Sequence, residues 1–287
     1  MKVGFKSLYL MLISLNCFGL SQKPFAVYRG DQRQDINQVQ NAEIRKLADS
    51  TLSVFDKDEL TFKNNLYILD PTLMKETLDL CPEEKFANQS SAAECSAILV
   101  DQDKVMTAGH CVSNKTCANT AFGFGYMLQD NGQEPQSLSE QEVYFCQKII
   151  SRSNTDKLDF AVIQLDRKVI AHAPVKIATN RVSKNQEVFM IGNSGGSPLK
   201  YSPPSIVLTS TKNHFNSEID ALGGNSGAGV FSAETNELVG ILTSGEDDYV
   251  YDRQRKCSRI KSCDAGECIG EDSMHIDTIL ENIFTLK

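Results

Sequence analysis

The sequence predicts an all-β fold, a barrel or a sandwich, that ends in one α-helix. Short runs rich in β-branched and aromatic residues recur along the 287-residue chain, and clusters of Gly, Asn, Asp, Ser and Pro separate them. No long helical pattern lies between these runs, which argues against an α/β fold. The runs are SAILV (96–100), VYFCQKII (143–150), FAVIQL (160–165), EVFMIG (187–192), SIVLTS (205–210), AGVF (228–231) and LVGILTS (238–244).

The terminal helix is predicted from apolar spacing. Ile276, Ile279, Leu280, Ile283 and Phe284 stand at i, i+3, i+4, i+7 and i+8, so they share one helical face. Between the two groups of strands, the weakest break falls in AHAPVKIATN, residues 171–180.

The first residues have the layout of a secretory signal peptide. Lys2 and Lys6 flank the start of a short apolar stretch, and the small residues Gly19 and Ser21 precede Gln22. We therefore predict a signal peptide at residues 1–21 and a secreted protein, extracellular or periplasmic. No later stretch is long and apolar enough to span a membrane. Residues 22–50 are polar and are interpreted as an N-terminal arm or pro-segment.

Charge and cysteine content narrow the class of protein. The net charge of −8 becomes −10 once the two signal-peptide lysines are removed, and no basic cluster remains to bind a phosphate backbone, so nucleic acid is not an expected partner. Eight cysteines remain after the signal peptide, which predicts up to four disulfides in an exported chain. The C-x5-C-x4-C spacing near the C-terminus lacks a tight Cys-x-x-Cys chelate, and we expect no metal ion.

His110 is the histidine with the most informative setting. It follows a predicted strand in VMTAGHC, and Cys95 lies sixteen residues before Cys111. A Cys95–Cys111 bridge would tie together the ends of a β-hairpin and hold His110 rigid. A general base needs such rigidity, because a displacement of about 1 Å can cost roughly a hundredfold in rate.

Two serines stand in similar glycine-rich turns. Ser194 lies in GNSGGSP (192–198) and Ser226 in GGNSGAG (223–229). Either turn could expose a nucleophile. PLKYSPPS follows Ser194, and its prolines are expected to interrupt strand pairing.

Four motifs in chain order, CSAILV…TAGHC, LDFAVIQL, GGNSGAGVF and VGILTSG, resemble the trypsin- and chymotrypsin-like serine protease family. The resemblance covers residues 90–287, and AVYRGDQRQDI (26–36) with GGNSG is closer to the bacterial, glutamyl-endopeptidase-like members. It implies two packed antiparallel six-stranded β-barrels. The first would occupy residues 51–170 and the second residues 171–287, including the helix.

The resemblance also implies a catalytic triad. Asp159 in LDFAVIQL would pair with His110, and an acid that leads an apolar strand does need such a partner; Asp156 and Asp166 are the alternatives. Ser226 matches the family's nucleophile, which a strand, a hairpin and the cleft strand follow, whereas the Ser194 turn matches a glycine-rich loop of the second barrel. The N–H groups of Gly224 and Ser226 would form the oxyanion hole.

Substrate binding is implied for Asp220, six residues before Ser226, and for Thr243, Ser244 and Gly245 on the cleft strand. Asp220 stands where trypsins carry a pocket carboxylate, which predicts a preference for Lys or Arg before the scissile bond.

Two departures from the family accompany this prediction. Leu242 replaces the pocket histidine of glutamyl enzymes. Asn225 replaces the aspartate that, in trypsins, pairs with a freed N-terminus, so we expect that activation device to be absent.

These features predict a secreted serine endopeptidase that acts on protein or peptide substrates, needs no cofactor, has no membrane partner after signal cleavage and is a monomer. The alternative from another functional class is a catalytically inactive homologue that serves as a protein-binding module.

Overall fold

The computed structural model describes residues 27–245, 247–264 and 268–284, so the predicted signal peptide lies outside the described residues. The first residues of the N-terminal arm pair with strands of the second half of the molecule. It contains β1 (Val27–Tyr28), β2 (Gln34–Asp35) and α1 (Ala42–Asp49). The Asn41 side chain caps α1 by accepting the N–H of Glu43 at 2.9 Å.

The first barrel is closed and antiparallel, with strand order β10-β12-β13-β9-β8-β3. Its apolar side chains alternate inward along each strand and fill the barrel. The elements of this half are β3 (Thr51–Asp56), β4 (Leu60–Lys63), β5 (Leu66–Leu69), β6 (Thr72–Leu73), α2 (Met74–Thr77), β7 (Ser90–Ser91), β8 (Cys95–Asp101), β9 (Lys104–Thr107), β10 (Thr120–Gly123), β11 (Ser137–Ser139), β12 (Val143–Thr155) and β13 (Leu158–Leu165).

The second barrel is also six-stranded and antiparallel, with order β14-β17-β18-β22-β16-β15 and closure through β15–β14 pairing; β2 of the arm adds to β15 from outside. The predicted C-terminal helix follows its last strand. The elements are β14 (Glu187–Gly192), β15 (Lys200–Ser210), β16 (His214–Ser217), β17 (Gly229–Ser232), β18 (Leu238–Ser244), β19 (Tyr249–Asp252), β20 (Cys257–Ile260), β21 (Ser262–Cys263), β22 (Glu271–His275) and α3 (Ile276–Phe284). The predicted fold class is thus confirmed.

The barrels share a buried apolar cluster. Phe160 of the first barrel, Phe189 and Ile241 of the second, and Ile279 of α3 all belong to it. Burial of this much apolar surface fixes the two barrels against each other. Residues on loops of the two barrels can therefore keep fixed positions relative to one another.

The prolines interrupt the strand pairing only locally. β15 continues through Pro203 and Pro204 and pairs with β14 on either side of them. The register shifts by one residue between Val188 and Met190, and such a bulge accommodates residues that lack a backbone N–H.

Four disulfides join the eight cysteines among the described residues. The bridges are Cys81–Cys257, Cys95–Cys111, Cys117–Cys146 and Cys263–Cys268. Within the same residues, no helix has the length and apolar character needed to cross a membrane.

Candidate active site

His110 lies in the tight turn after β9, and that turn is fixed on two sides. Cys111 is bonded to Cys95 at the start of β8. Arg152 on β12 donates its Nε–H to the carbonyl oxygen of Gly109 at 2.7 Å. The imidazole itself is 39% exposed, so the ring is held at its backbone and open on one side.

Asp159 binds both the backbone and the ring of His110. Its Oδ1 accepts the His110 backbone N–H at 2.9 Å, and its Oδ2 lies 2.7 Å from Nδ1. With Nδ1–H donating to a carboxylate, the free lone pair of the ring is on Nε2, at the opposite edge. An imidazole held in this way can accept a proton from a group beyond Nε2.

The alternative acids are placed away from His110. Asp156 is exposed in the turn between β12 and β13. Asp166 lies at the other end of that hairpin, where Oδ1 accepts the N–H of Phe145 at 3.0 Å. Of the three acids, Asp159 is the one that contacts the histidine.

Ser226 lies in the turn before β17, close to the segment that carries His110. Its carbonyl oxygen accepts the N–H of Ser96 at 2.8 Å and lies 3.7 Å from Sγ of Cys111. A ring nitrogen of His110 lies within 4.8 Å of the sulfur atoms of the Cys95–Cys111 bridge. The disulfide thus touches both the histidine and the serine turn. Ser226 is partly exposed, and its hydroxyl forms no hydrogen bond with the described residues.

Gly227 makes this approach possible. It has φ of +82°, and a Cβ there would stand 2.2 Å from Oγ1 of Thr107 on β9. Only glycine tolerates both the conformation and the close contact. The serine turn of the second barrel therefore packs directly on the strand that leads to His110.

Two backbone N–H groups of this turn have no acceptor among the described residues, those of Gly224 and Ser226. Their neighbours are engaged. The N–H of Gly223 donates to Oδ2 of Asp248 at 2.6 Å, and that of Gly227 donates to a backbone carbonyl at 2.7 Å. Two unpaired amides flanking a serine hydroxyl form a geometry suited to binding a developing oxyanion.

Ser194 occupies a different environment. It is buried, and its hydroxyl oxygen accepts Nη1–H of the buried Arg33 at 2.5 Å. A hydroxyl in this position is closed to substrate and is already bonded to a cation. This observation favours Ser226 over Ser194 as a nucleophile.

Asp220 lies beneath the N-terminal arm. It is buried, with Oδ1 accepting the N–H of Tyr28 at 2.6 Å and Oδ2 that of Gln32 at 2.8 Å. Burial raises the pKa of Asp220 to about 6, although these N–H groups oppose the rise. The carboxylate thus faces the arm.

The cleft-strand residues lie at the end of β18. Thr243 is buried and donates its hydroxyl to the carbonyl of Asp272 at 3.2 Å, whereas Ser244 and Gly245 are exposed. Glu271, which the sequence analysis did not name, is buried directly beside Gly245. A Cβ on Gly245 would stand only 1.6 Å from Oε2 of Glu271.

A cavity of about 680 Å³ opens beside the serine turn. Gly223 and Gly224 form part of its wall. The remaining wall comes largely from the segment between β3 and β8, and it includes four acids and no lysine or arginine. The acids are Asp58, Glu59, Asp70 and Glu94.

One grouping of potential metal ligands occurs among the described residues, Cys95, His110 and Cys111. Its two sulfur atoms are bonded to each other in the disulfide. A thiolate is the form in which cysteine binds a metal, so this grouping does not offer a metal site.

Sequence reasoning missed Arg33 and Glu271. Arg33 lies in a polar segment that gave no periodic signal. Glu271 begins β22, a strand next to the cleft strand β18 that the apolar runs of the sequence do not predict.

Comparison with known proteins places the chain in a family. Residues 95–241, just over half of the chain, match the model of the trypsin-like peptidase domain, and the chain belongs to this family. No curated protein matches the sequence.

Solved structures support the fold. A Glu endopeptidase structure in complex with MPD has a TM-score of 0.54 at 16% identity, covering 91% of this chain and 99% of that chain. The Rv3671c protease of M. tuberculosis H37Rv, in an inactive form, has a TM-score of 0.51 at 11% identity, covering 86% and 93%. At such identities the similarity is one of fold.

Proposed function

We propose that this protein is a secreted serine endopeptidase in which Ser226 is the nucleophile, His110 the general base and Asp159 the residue that orients it. One observation carries the proposal: His110, which pairs with Asp159, is followed by a cysteine whose disulfide touches the Ser226 turn, and that turn has two N–H groups without an acceptor in the described part of the chain. Membership of the trypsin-like peptidase family supports the same reaction.

In this mechanism Nε2 of His110 takes the Ser226 hydroxyl proton as the oxygen attacks a peptide carbonyl. Asp159 keeps the proton of the neutral ring on Nδ1 and stabilises the imidazolium that forms. The N–H groups of Gly224 and Ser226 donate to the oxyanion. His110 then returns the proton to the leaving amine, and water, activated by the same imidazole, hydrolyses the acyl-enzyme.

The test compares the two serines. Ser226→Ala should reduce peptide hydrolysis to background and abolish labelling by a fluorophosphonate, because the attacking oxygen is gone. Ser194→Ala is the matched control and should still take one label per molecule. Labelling that is lost in Ser194→Ala and kept in Ser226→Ala would refute the assignment. A wild-type chain that hydrolyses no peptide and takes no label would favour the inactive, protein-binding homologue.

We also propose a preference for Lys or Arg directly before the scissile bond. Asp220 is engaged by the arm, so the support comes from the acidic wall of the cavity beside Gly224 and from Glu271 beside Gly245. Cleavage of a randomised peptide library, sequenced on both sides of the cut, tests it. Enrichment of Lys or Arg directly before the cleaved bond is expected, and enrichment of Asp or Glu at that position would contradict it.

Secretion is proposed from the signal-like N-terminal sequence and is compatible with the four disulfides. N-terminal sequencing of the exported protein should detect Gln22 as its first residue, or a residue further along if the arm is processed. Recovery of Met1 on the exported chain would contradict the predicted cleavage.

A further inference from the structure

Arg33 is a fully buried arginine in the N-terminal arm, with 0% exposure. Its Nη2 and Nε donate to Asp31 at 2.5 and 2.9 Å, and its Nη1 donates to Ser194 Oγ at 2.5 Å. A buried charge persists only where such partners satisfy it. The next residue begins β2, which pairs with β15 of the second barrel, so the backbone beside Arg33 is anchored to the sheet.

The turn that contains Ser194 is hydrogen-bonded to the turn that contains Ser226. Ser194 begins the single-turn helix 194–196, and the N–H of Gly195 donates to the carbonyl oxygen of Gly223 at 2.6 Å. That carbonyl and the N–H of Gly224 belong to one planar peptide unit and point in opposite directions. Because the carbonyl is held towards Gly195, the Gly224 N–H points away from Gly195. This N–H is one of the two amides that have no acceptor among the described residues.

The other side of Gly223 is also held by a group near Arg33. The N–H of Gly223 donates to Oδ2 of Asp248. Burial raises the pKa of Asp248 to about 6, and the positive charge of Arg33 opposes that rise. Above this pH the carboxylate is ionised and is the stronger acceptor.

We propose that Arg33 is a positioning residue for the oxyanion hole: by holding the Ser194–Gly195 turn, it fixes the 223–224 peptide with the Gly224 N–H directed towards the substrate carbonyl. This inference rests on the proposed function, since it assigns Gly224 to that reaction. It also gives a role to the second Gly-Asn-Ser-Gly turn, which supports the catalytic turn and is not a nucleophile itself.

The test is steady-state kinetics of Arg33→Gln, Arg33→Lys and Ser194→Ala, each normalised to active sites titrated with a slow acylating substrate. Loss of one oxyanion donor lowers kcat by about 10² to 10³-fold, and the kcat of Arg33→Gln should fall by an amount that approaches this range. Its KM should stay within about twofold of wild type, because the oxyanion forms only after the substrate has bound. Ser194→Ala should lose on the order of tenfold, because one charge-assisted hydrogen bond is removed while Gly195 remains. Arg33→Lys keeps the charge but not the planar set of donors, so it should recover part of the activity.

Arg29→Gln is the matched control. Arg29 is an arm arginine, more than half exposed, whose guanidinium pairs with Glu218 at 2.6 Å and does not contact the Ser194 turn. This variant should keep the wild-type kcat. A merely structural role for Arg33 would lower the fraction of titratable sites or the melting temperature and leave kcat per titrated site unchanged.

A second readout does not depend on activity. The Gly195 amide, followed by hydrogen exchange in glycine-¹⁵N-labelled protein, should be protected in wild type and in Arg33→Lys, and should exchange faster in Ser194→Ala. If wild type hydrolyses no peptide, the proposed function fails, while this exchange still tests the positioning. Unchanged kcat per site in Ser194→Ala and Arg33→Gln, or equal Gly195 protection in wild type and Ser194→Ala, would overturn the inference.

Discussion

Replacing His172 by glutamine should remove a stabilisation of the folded chain that exists only while the imidazole is protonated. His172 lies in the segment that joins the two barrels, stacked on Phe124 at 3.9 Å, with Nδ1 3.0 Å from Asp49 and Nε2 2.6 Å from Glu142. Burial alone would lower the pKa of His172, but the hydrogen bonds and charges of the two acids outweigh it and raise the pKa to about 9.

The magnitude and sign of this change in unfolding free energy follow from the linkage between proton binding and folding. A pKa raised from 6.5 to about 9 corresponds to at most about 3 kcal/mol of unfolding free energy. Because Asp49 is about half exposed, solvent screening reduces the expected value to about 1–2 kcal/mol. The folded state binds the proton more tightly, so the stabilisation is complete below pH 6.5 and is lost as pH rises through 9.

The assay is urea unfolding followed by circular dichroism at pH 6 and pH 9.5. It compares the chain that keeps His172 with the His172→Gln variant, and both carry Ser226→Ala to prevent self-digestion. The difference in unfolding free energy between the two proteins should be larger at pH 6 by about 1–2 kcal/mol. The part of the packing on Phe124 that does not depend on the charge of the ring contributes equally at both pH values and cancels. An equal difference at the two pH values would refute the reasoning.

Two further predictions concern the candidate site. Asp159→Asn should lower kcat by about 10⁴-fold, as the same exchange does in serine proteases with this triad, because an amide favours the wrong tautomer of His110. Kinetics normalised to the number of active sites measures this loss. A decrease in kcat of less than about tenfold would contradict the role of Asp159. Replacing both Cys95 and Cys111 by serine should cost about 3 kcal/mol of unfolding free energy, the value for a loop of this length. It should also lower kcat, because the His110 turn loses its covalent link to β8; unchanged kcat would show that the bridge does not position the histidine.

Apolar runs in the sequence predict most of the barrel strands. β14 and β18 match the predicted ranges 187–192 and 238–244 residue for residue. The apolar repeat from Ile276 likewise predicts α3. These elements are recognisable because burial of their side chains is the main force that stabilises them.

Other parts of the fold depend on contacts that local sequence does not encode. The Cys81–Cys257 bridge joins residues 176 positions apart, and no spacing rule predicts such a pair. The polar arm was interpreted from composition alone, yet Arg33 and Asp35 are among its most buried residues. They are tolerated there because each meets an opposite charge, Asp31 and Lys200 respectively.

The candidate site also contains both residues that the sequence predicts and residues that it does not. The order of the motifs predicts that His110, Asp159 and Ser226 act together, and the direct His110–Asp159 contact agrees with this prediction. The surroundings of Asp220 were not foreseeable, since its partners are backbone N–H groups of Tyr28 and Gln32. Backbone donors carry no side-chain signature in a sequence, so a pocket carboxylate and a structural one look alike there.

The central claim is that the hydroxyl of Ser226 is the attacking group. Its most direct test is to treat the wild-type protein with a fluorophosphonate and to locate the adduct by peptide mapping with tandem mass spectrometry. The mechanism predicts one adduct per molecule, on Ser226, and its loss when His110 is replaced by alanine. An adduct on Ser194, or labelling that is indifferent to His110, would contradict it.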